Sequence, residues 1–433
     1  MKNVKSNPSL RVSEANAAIH ESKIDGYFAS LVNPADCHDL QSKSCNDDKN
    51  YKRFAVCFVW SLFVATLLGI ALGFLLWLYD PFMFFHKPYF REWTYPSDRR
   101  LAAKGMVDFV EFDSAIFGSS MLENTLSKEA DEKIGGKWLN LAVSSSRIYE
   151  REDLIKYTLQ HKQIKQIIYA LESYFLVNGE SRVNERTGFN PLNLNRSSFE
   201  NFKILLNAQF VECALLWSKQ KKCVGGDLKN TYVTPYEKNK FGFTNWRNDE
   251  KEEFVRELEL YENDNYQAIE FHSAEIQEYI KEHILFYVEQ NPQINFHFIL
   301  PTQSRFFWKI PYWWNDGKNY FMTNANTKRS PEQYYADWKI MIKWFIQESA
   351  KYPNIKIYGF DDLDYADNLD NYGDARHYNH DMNSMQLDAI ANGTHILTPQ
   401  NIDTYLATME SKIKNYDIAP LIAEIKAWEA QQM

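Results

Sequence analysis

The run from position 54 to 79 carries no charged residue in 26 positions. As a helix it would extend about 39 Å, more than the roughly 30 Å of a bilayer's hydrocarbon core. It reads as a single transmembrane helix. The mostly polar residues ahead of it, and the lack of a small-x-small site behind it, argue against a cleaved signal peptide. Beyond Asp80 short apolar runs alternate with helical periods. Residues 114–117, 138–143, 166–171, 294–300 and 355–360 have the length and the branched or aromatic content of buried strands. Residues 147–161 and 265–290 repeat apolar positions at helical spacing, and 331–350 opens on a proline suited to a first turn. Five apolar strands separated by helices predict an α/β domain with a mostly parallel five-stranded sheet covered on both faces. Residues 177–264 break the rhythm and read as an insertion or cap. The expected layout is a polar tail (1–53), a membrane helix (54–79), an aromatic juxtamembrane linker (80–111), the α/β domain (112–413) and a terminal helix (414–433). The tail has too few large apolar residues for a core, although residues 13–31 could form a short helix.

Charge then orients the chain. Lys43, Lys49, Lys52 and Arg53 crowd the N-terminal flank of the apolar run, against Lys87 and Arg91 beyond it, which places the N-terminus in the cytoplasm and the large domain outside it. A net charge of −9 with no basic block argues against nucleic acid as a partner. Cys213 and Cys223 then lie in an oxidising compartment, where a disulfide and a buried thiol are both open. No histidine or cysteine spacing offers a metal site, and no cofactor is called for. Ala65, Gly69 and Gly73 recur every four residues, a face on which a partner helix could pack, though small residues are common in membrane helices anyway. Two aromatic clusters stand out. Residues 81–95 read as an interfacial belt, with a purely packed linker as the alternative. Residues 306–321, with Trp308, Trp313 and Trp314, read as a sugar-stacking platform, with core packing or membrane contact as the alternatives.

Candidate chemistry sits at the predicted strand ends, where an open α/β sheet gathers its binding groups. Ile116-Phe117-Gly118-Ser119-Ser120-Met121 runs from a strand into a helix, placing Ser120 as a nucleophile beside unpaired helix amides. Asn140-Leu141-Ala142-Val143-Ser144-Ser145 is a small-residue turn whose amides can face an oxyanion, so Ser120 and Ser145 are the expected backbone donors. Asp374-Ala375-Arg376-His377 supplies a carboxylate and an imidazole on one turn, the remaining parts of a Ser-His-Asp triad. Each motif also has an ordinary explanation, since serine is favoured at strand-to-helix turns and as an N-cap; their joint placement carries the reading.

These motifs resemble those of the SGNH (GDSL-like) hydrolases, and within them the membrane-anchored branch that works in cell-envelope acylation, similar to the D-alanine transfer protein of teichoic acid synthesis and to alginate O-acetylation proteins. The resemblance covers residues 112–406. GSSM is similar to the family's first block, NLAVSSS to the second, with Ser145 where the family has glycine, and DARHY to the last. It implies a three-layer SGNH-like sandwich, Ser120 as nucleophile, and Asp374 and His377 as its partners. Where the family carries Gly-x-Asn-Asp, this chain has Ala170-Leu171-Glu172-Ser173. The asparagine donor is missing, and a carboxylate there opposes an oxyanion unless protonated or turned away. Asn140, Glu172, Trp308, Trp313 and Trp314 are the expected substrate-binding residues. The implied function is serine-dependent O-acyl transfer, or deacylation, on an envelope polysaccharide at the plasma (inner) membrane, with the domain facing the periplasm. The alternative is a non-catalytic glycan-binding scaffold for a multi-span membrane acyltransferase, met through the transmembrane helix.

Overall fold

Each run read as a strand pairs in one sheet. The computed structural model describes residues 47–89, 93–95, 98–179, 202–216, 270–309 and 330–432, with scattered positions between 223 and 258. The tail with its suggested helix over 13–31, much of the 177–264 insertion, and Trp313 and Trp314 lie outside the described residues. The strands are β1 (Ser114–Phe117), β2 (Trp138–Asn140), β3 (Gln166–Ala170), β4 (Asn295–Ile299), β5 (Ile355–Tyr358) and β6 (Ile396–Leu397). Their order is β2-β1-β3-β4-β5-β6, parallel except for the antiparallel β5–β6 pair. The sheet therefore has six strands rather than five. The added strand is a two-residue edge that returns after the left-handed Gly393 (φ 66°) closes the preceding helix, too short for any periodicity to mark.

Alternation along the strands builds two cores. Ala115, Phe117, Ile167, Tyr169, Phe296 and Phe298 face one helical layer; Ile116, Ile168, Ala170, Ile299 and Tyr358 face the other. The first layer contains the helices Arg99–Phe109, Ile148–His161 and Pro331–Ser349. The helix expected over 265–290 belongs to it too, as Ser273–Ile280 and Phe286–Glu289 joined through a π-helical turn at Lys281–Leu285. The second layer holds Ser127–Lys133 and His380–Asn392.

The chain divides into two compact units, residues 1–72 and 73–433. One helix, Asp47–Tyr79, is long and apolar enough over Arg53–Tyr79 to cross a membrane, and its apolar side chains, such as Phe58, Leu68 and Ile70, are exposed. The expected linker is a correction. Phe82, Met83 and Phe84 are buried in the domain core rather than left at the headgroup level, and the helix Arg99–Phe109 packs over them so closely that a Cβ on Gly105 would strike the Met83 carbonyl. The core even takes in Leu76 and Tyr79 from the last turns of the long helix. Cys213 and Cys223 form a disulfide, which resolves the two readings left open by the sequence.

Candidate active site

The Gly118-Ser119-Ser120 turn is fixed by close packing at the head of β1. A Cβ on Gly118 would lie 2.9 Å from the Ala170 Cβ and 3.2 Å from Leu122, so no larger residue fits without moving backbone. The two serines that follow divide the work. Ser119 is the N-cap of the helix Ser120–Glu123, its Oγ accepting from the Met121 amide at 3.3 Å. Ser120 is thereby free of capping, and its Oγ lies 2.7 Å from His377 Nε2.

The segment carrying the histidine is tied down on both sides. The Ser304 hydroxyl donates to the Ala375 carbonyl (2.6 Å), and the Gly373 amide to the His377 carbonyl (2.8 Å). Tyr378 Oη and Asn383 Nδ2 both donate to the Met121 carbonyl at 2.9 Å, clamping this segment to the residue after Ser120. Asp374 accepts the amides of Arg376 (2.7 Å) and His377 (2.8 Å) through Oδ1, and Oδ2 meets His377 Nδ1 at 2.5 Å. Burial works to raise the Asp374 pKa, but the His377 imidazole, the Arg376 charge and these amides outweigh it and hold the carboxyl well below the usual carboxylate range. An ionised Asp374 keeps the proton on Nδ1, which leaves Nε2 as an acceptor aimed at the Ser120 hydroxyl.

Beside the serine lies the turn after β2. The Val143 amide donates to the Gly118 carbonyl (2.8 Å) and that of Ser146 to the Val143 carbonyl (3.0 Å), while the exposed Ser144 and Ser145 amides have no hydrogen-bond partner among the described residues. Ser145 sits at φ 52°, a left-handed conformation that favours glycine.

Arg151 holds this turn. Its guanidinium donates to Ser146 Oγ (2.9 Å), to the carbonyls of Ser146 (3.2 Å) and Ala170 (2.7 Å), and to both Glu172 oxygens at 2.8 Å. Ser146 Oγ in turn donates to the Gly118 carbonyl at 2.9 Å. One buried side chain thus joins the ends of β1 and β3 to the turn after β2. Burial acts to lower the Arg151 pKa, and the charges and hydrogen bonds of Glu172 and Tyr169 overcome it, so the cation is held above its ordinary value.

Three expected substrate-binding residues are corrected by these contacts. Asn140 is buried, its Nδ2 donating to the carbonyls of Leu122, Glu123 and Thr125, and its Oδ1 accepting from the Ala142 amide and Arg99. It braces the loop that follows Ser120. Glu172 is committed to Arg151 in bidentate fashion and is not presented to a substrate. Trp308 is buried against Tyr334, Tyr335 and Trp338, so it is core rather than a sugar platform. Arg151, Arg99, Tyr378 and Asn383 went unread in the sequence. Arg151 had a signal: it lies on the apolar stripe of Ile148, Leu154, Ile155 and Thr158, where an arginine needs a buried partner. Among the described residues no cluster of His, Cys, Asp and Glu is arranged to hold a metal ion. No family model, no curated protein and no solved structure matches the chain.

Proposed function

We propose that the protein is a serine-dependent O-acyl transferase, or deacylase, of SGNH type that works on an envelope polysaccharide. The observation that carries this reading is the hydrogen-bonded relay from Ser120 through His377 to an ionised Asp374, assembled from residues 257 positions apart in sequence at the carboxyl end of a parallel sheet. Ser120 Oγ attacks the acyl carbonyl carbon while His377 Nε2 takes its proton, and the electron pair of the C=O bond moves onto oxygen. The amides of Ser120 and Ser145 are the donors for that oxyanion. Its collapse breaks the bond to the donor's leaving group, which takes the proton from His377 and leaves acyl-Ser120. A sugar hydroxyl, or water, then gives its proton to His377 and attacks the acyl carbon; collapse of this second intermediate breaks the bond to Ser120 Oγ, which takes the proton back from His377. Asp374 orients the ring and stabilises the imidazolium in both halves.

Glu172, paired with Arg151, neither donates to the oxyanion nor opposes it with a free charge. The Cys213–Cys223 disulfide supports an oxidising, extracytoplasmic compartment for the domain, with the N-terminus cytoplasmic and the span in the plasma membrane. The absent asparagine donor favours one further reading, a glycan-binding scaffold for a multi-span acyltransferase met through the transmembrane helix. Complementation separates the two. If Ser120→Ala and His377→Ala abolish envelope acylation at normal protein levels, the enzyme reading stands; if acylation persists, it falls and the scaffold remains.

A further inference from the structure

The sequence assigned contact with the bilayer interface to the aromatics of 81–95, but the structure buries Phe82–Phe84 and exposes another apolar surface beside them. The segment Phe202–Leu206 and the helix Ala208–Leu215 turn one face inward, with Ile204, Phe210 and Cys213 fully buried. Their other face mixes polar residues, Lys203, Asn207, Gln209 and Glu212, with large exposed apolar ones: Leu206 is 87% exposed, Leu215 54% and Phe202 52%. Large apolar side chains grouped in the open and rimmed by polar ones mark a surface that meets a second apolar medium.

The local geometry says which medium. His86 Nε2 lies 2.7 Å from the carbonyl of Trp77, in the last turn of the long apolar helix, so the chain folds back on that turn as it leaves it. The Asp80 carboxylate fixes the fold-back by accepting the amides of Phe84, Phe85 and His86 at 2.7–3.0 Å. Phe85 then meets Phe202 in a tilted contact at 5.5 Å and Phe210 edge-on at 6.4 Å, and the Cys213–Cys223 bridge ties the helix that carries Leu215. The exposed apolar face is thus continuous, through one aromatic contact, with the point where the chain leaves its membrane span. Lys203 and Lys87 are exposed on the same segments, able to extend toward lipid phosphates while their stems stay on apolar surface.

We propose that Phe202, Leu206 and Leu215 seat the domain on the bilayer that the long helix spans, at the boundary of headgroups and acyl chains. The surface is independent of the triad, so it stands or falls apart from the catalytic reading. The test uses full-length protein in phospholipid vesicles, with Cys37, Cys45 and Cys57 changed to serine and the disulfide kept. An environment-sensitive fluorophore is attached at Leu206→Cys and, separately, at Phe202→Cys, with Lys351→Cys as the aqueous control. The expected result at both sites is blue-shifted emission, quenched by lipids spin-labelled near the headgroup and protected from iodide relative to Lys351→Cys. Iodide quenching equal to the control overturns the proposal. Protection from both quenchers overturns it as well, because a protein surface, a second copy or a partner, would then be the occupant.

Discussion

Breaking the Arg151–Glu172 pair should cost far more when done from one side than from both. The side chains of Arg151 and Glu172 are 2% and 8% exposed, so neither charge can recover water if its partner is removed. Arg151→Met puts an apolar side chain where the guanidinium lies over the Tyr169 and Phe175 rings, but leaves an uncompensated carboxylate and strips donors from the Ser146 and Ala170 carbonyls. Glu172→Leu leaves the guanidinium with neutral partners only, the Ser146 hydroxyl and the Ser146 and Ala170 carbonyls. Removing one partner of a buried pair costs about 3 kcal/mol or more, whereas contacting pairs show coupling of up to about 3 kcal/mol. The double variant should therefore unfold with a penalty close to one single substitution and well short of the sum. The assay is urea unfolding of the full-length protein in detergent, followed by near-UV circular dichroism, with midpoint shifts converted through the m-value. Because Arg151 also holds the Ser144–Ser146 turn, reaction of Ser120 with an acyl ester should slow in Arg151→Met even where the protein is fully folded. Additive single costs would refute the charge-compensation argument, and an unchanged rate would refute the positioning role.

Gly118→Ala should reduce reaction at Ser120 strongly while the protein still folds, since its Cβ would press on Ala170 and Leu122 within the nucleophile turn; ester turnover beside a thermal melt checks this. Trp308→Ala should destabilise by about 3–5 kcal/mol as a core cavity and leave glycan binding by the folded protein unchanged, read by unfolding and by glycan pull-down. Asp361 supplies a pH signature. Burial pushes its carboxyl up to about 7, against the charge of Arg305 and the hydrogen bond from Tyr405. Its unfolded value is near 3.8, so the folded protein holds the extra proton between these limits. That stabilising contribution is complete below pH 3.8 and is lost as pH rises through about 7. Asp361→Asn should flatten the fall in melting temperature across this window; an unaltered profile would contradict the assignment.

The strands were legible because a parallel sheet buried on both faces demands continuous apolar runs, and β1, β3, β4 and β5 each begin within one residue of the expected position. β6 was not, since a two-residue edge has no period. The aromatic run after the long apolar helix misled for a physical reason: rings that suit a headgroup layer suit a protein core equally well, and only packing such as that of Gly105 against Met83 decides between them. Asn140 looked like a ligand because it ends a strand, yet its amide is used by carbonyls 15–18 residues earlier, contacts that exist only after folding. Ser120, Asp374 and His377, which the fold brings into one hydrogen-bonded line, stood out because a Gly-Ser-Ser strand-to-helix turn and an Asp-x-x-His pair are local patterns. Arg151, Tyr378 and Asn383, which hold those parts in register, act across the fold and leave none beyond an arginine on an apolar stripe.

The proposed chemistry is tested most directly by treating the folded full-length protein in detergent with a fluorophosphonate and locating the adduct by mass spectrometry. The expected result is a single phosphonylated residue, Ser120, absent in Ser120→Ala and formed much more slowly in His377→Ala. A folded wild-type protein that carries no adduct at Ser120, or an adduct that forms equally fast in His377→Ala, would contradict an activated serine at this site.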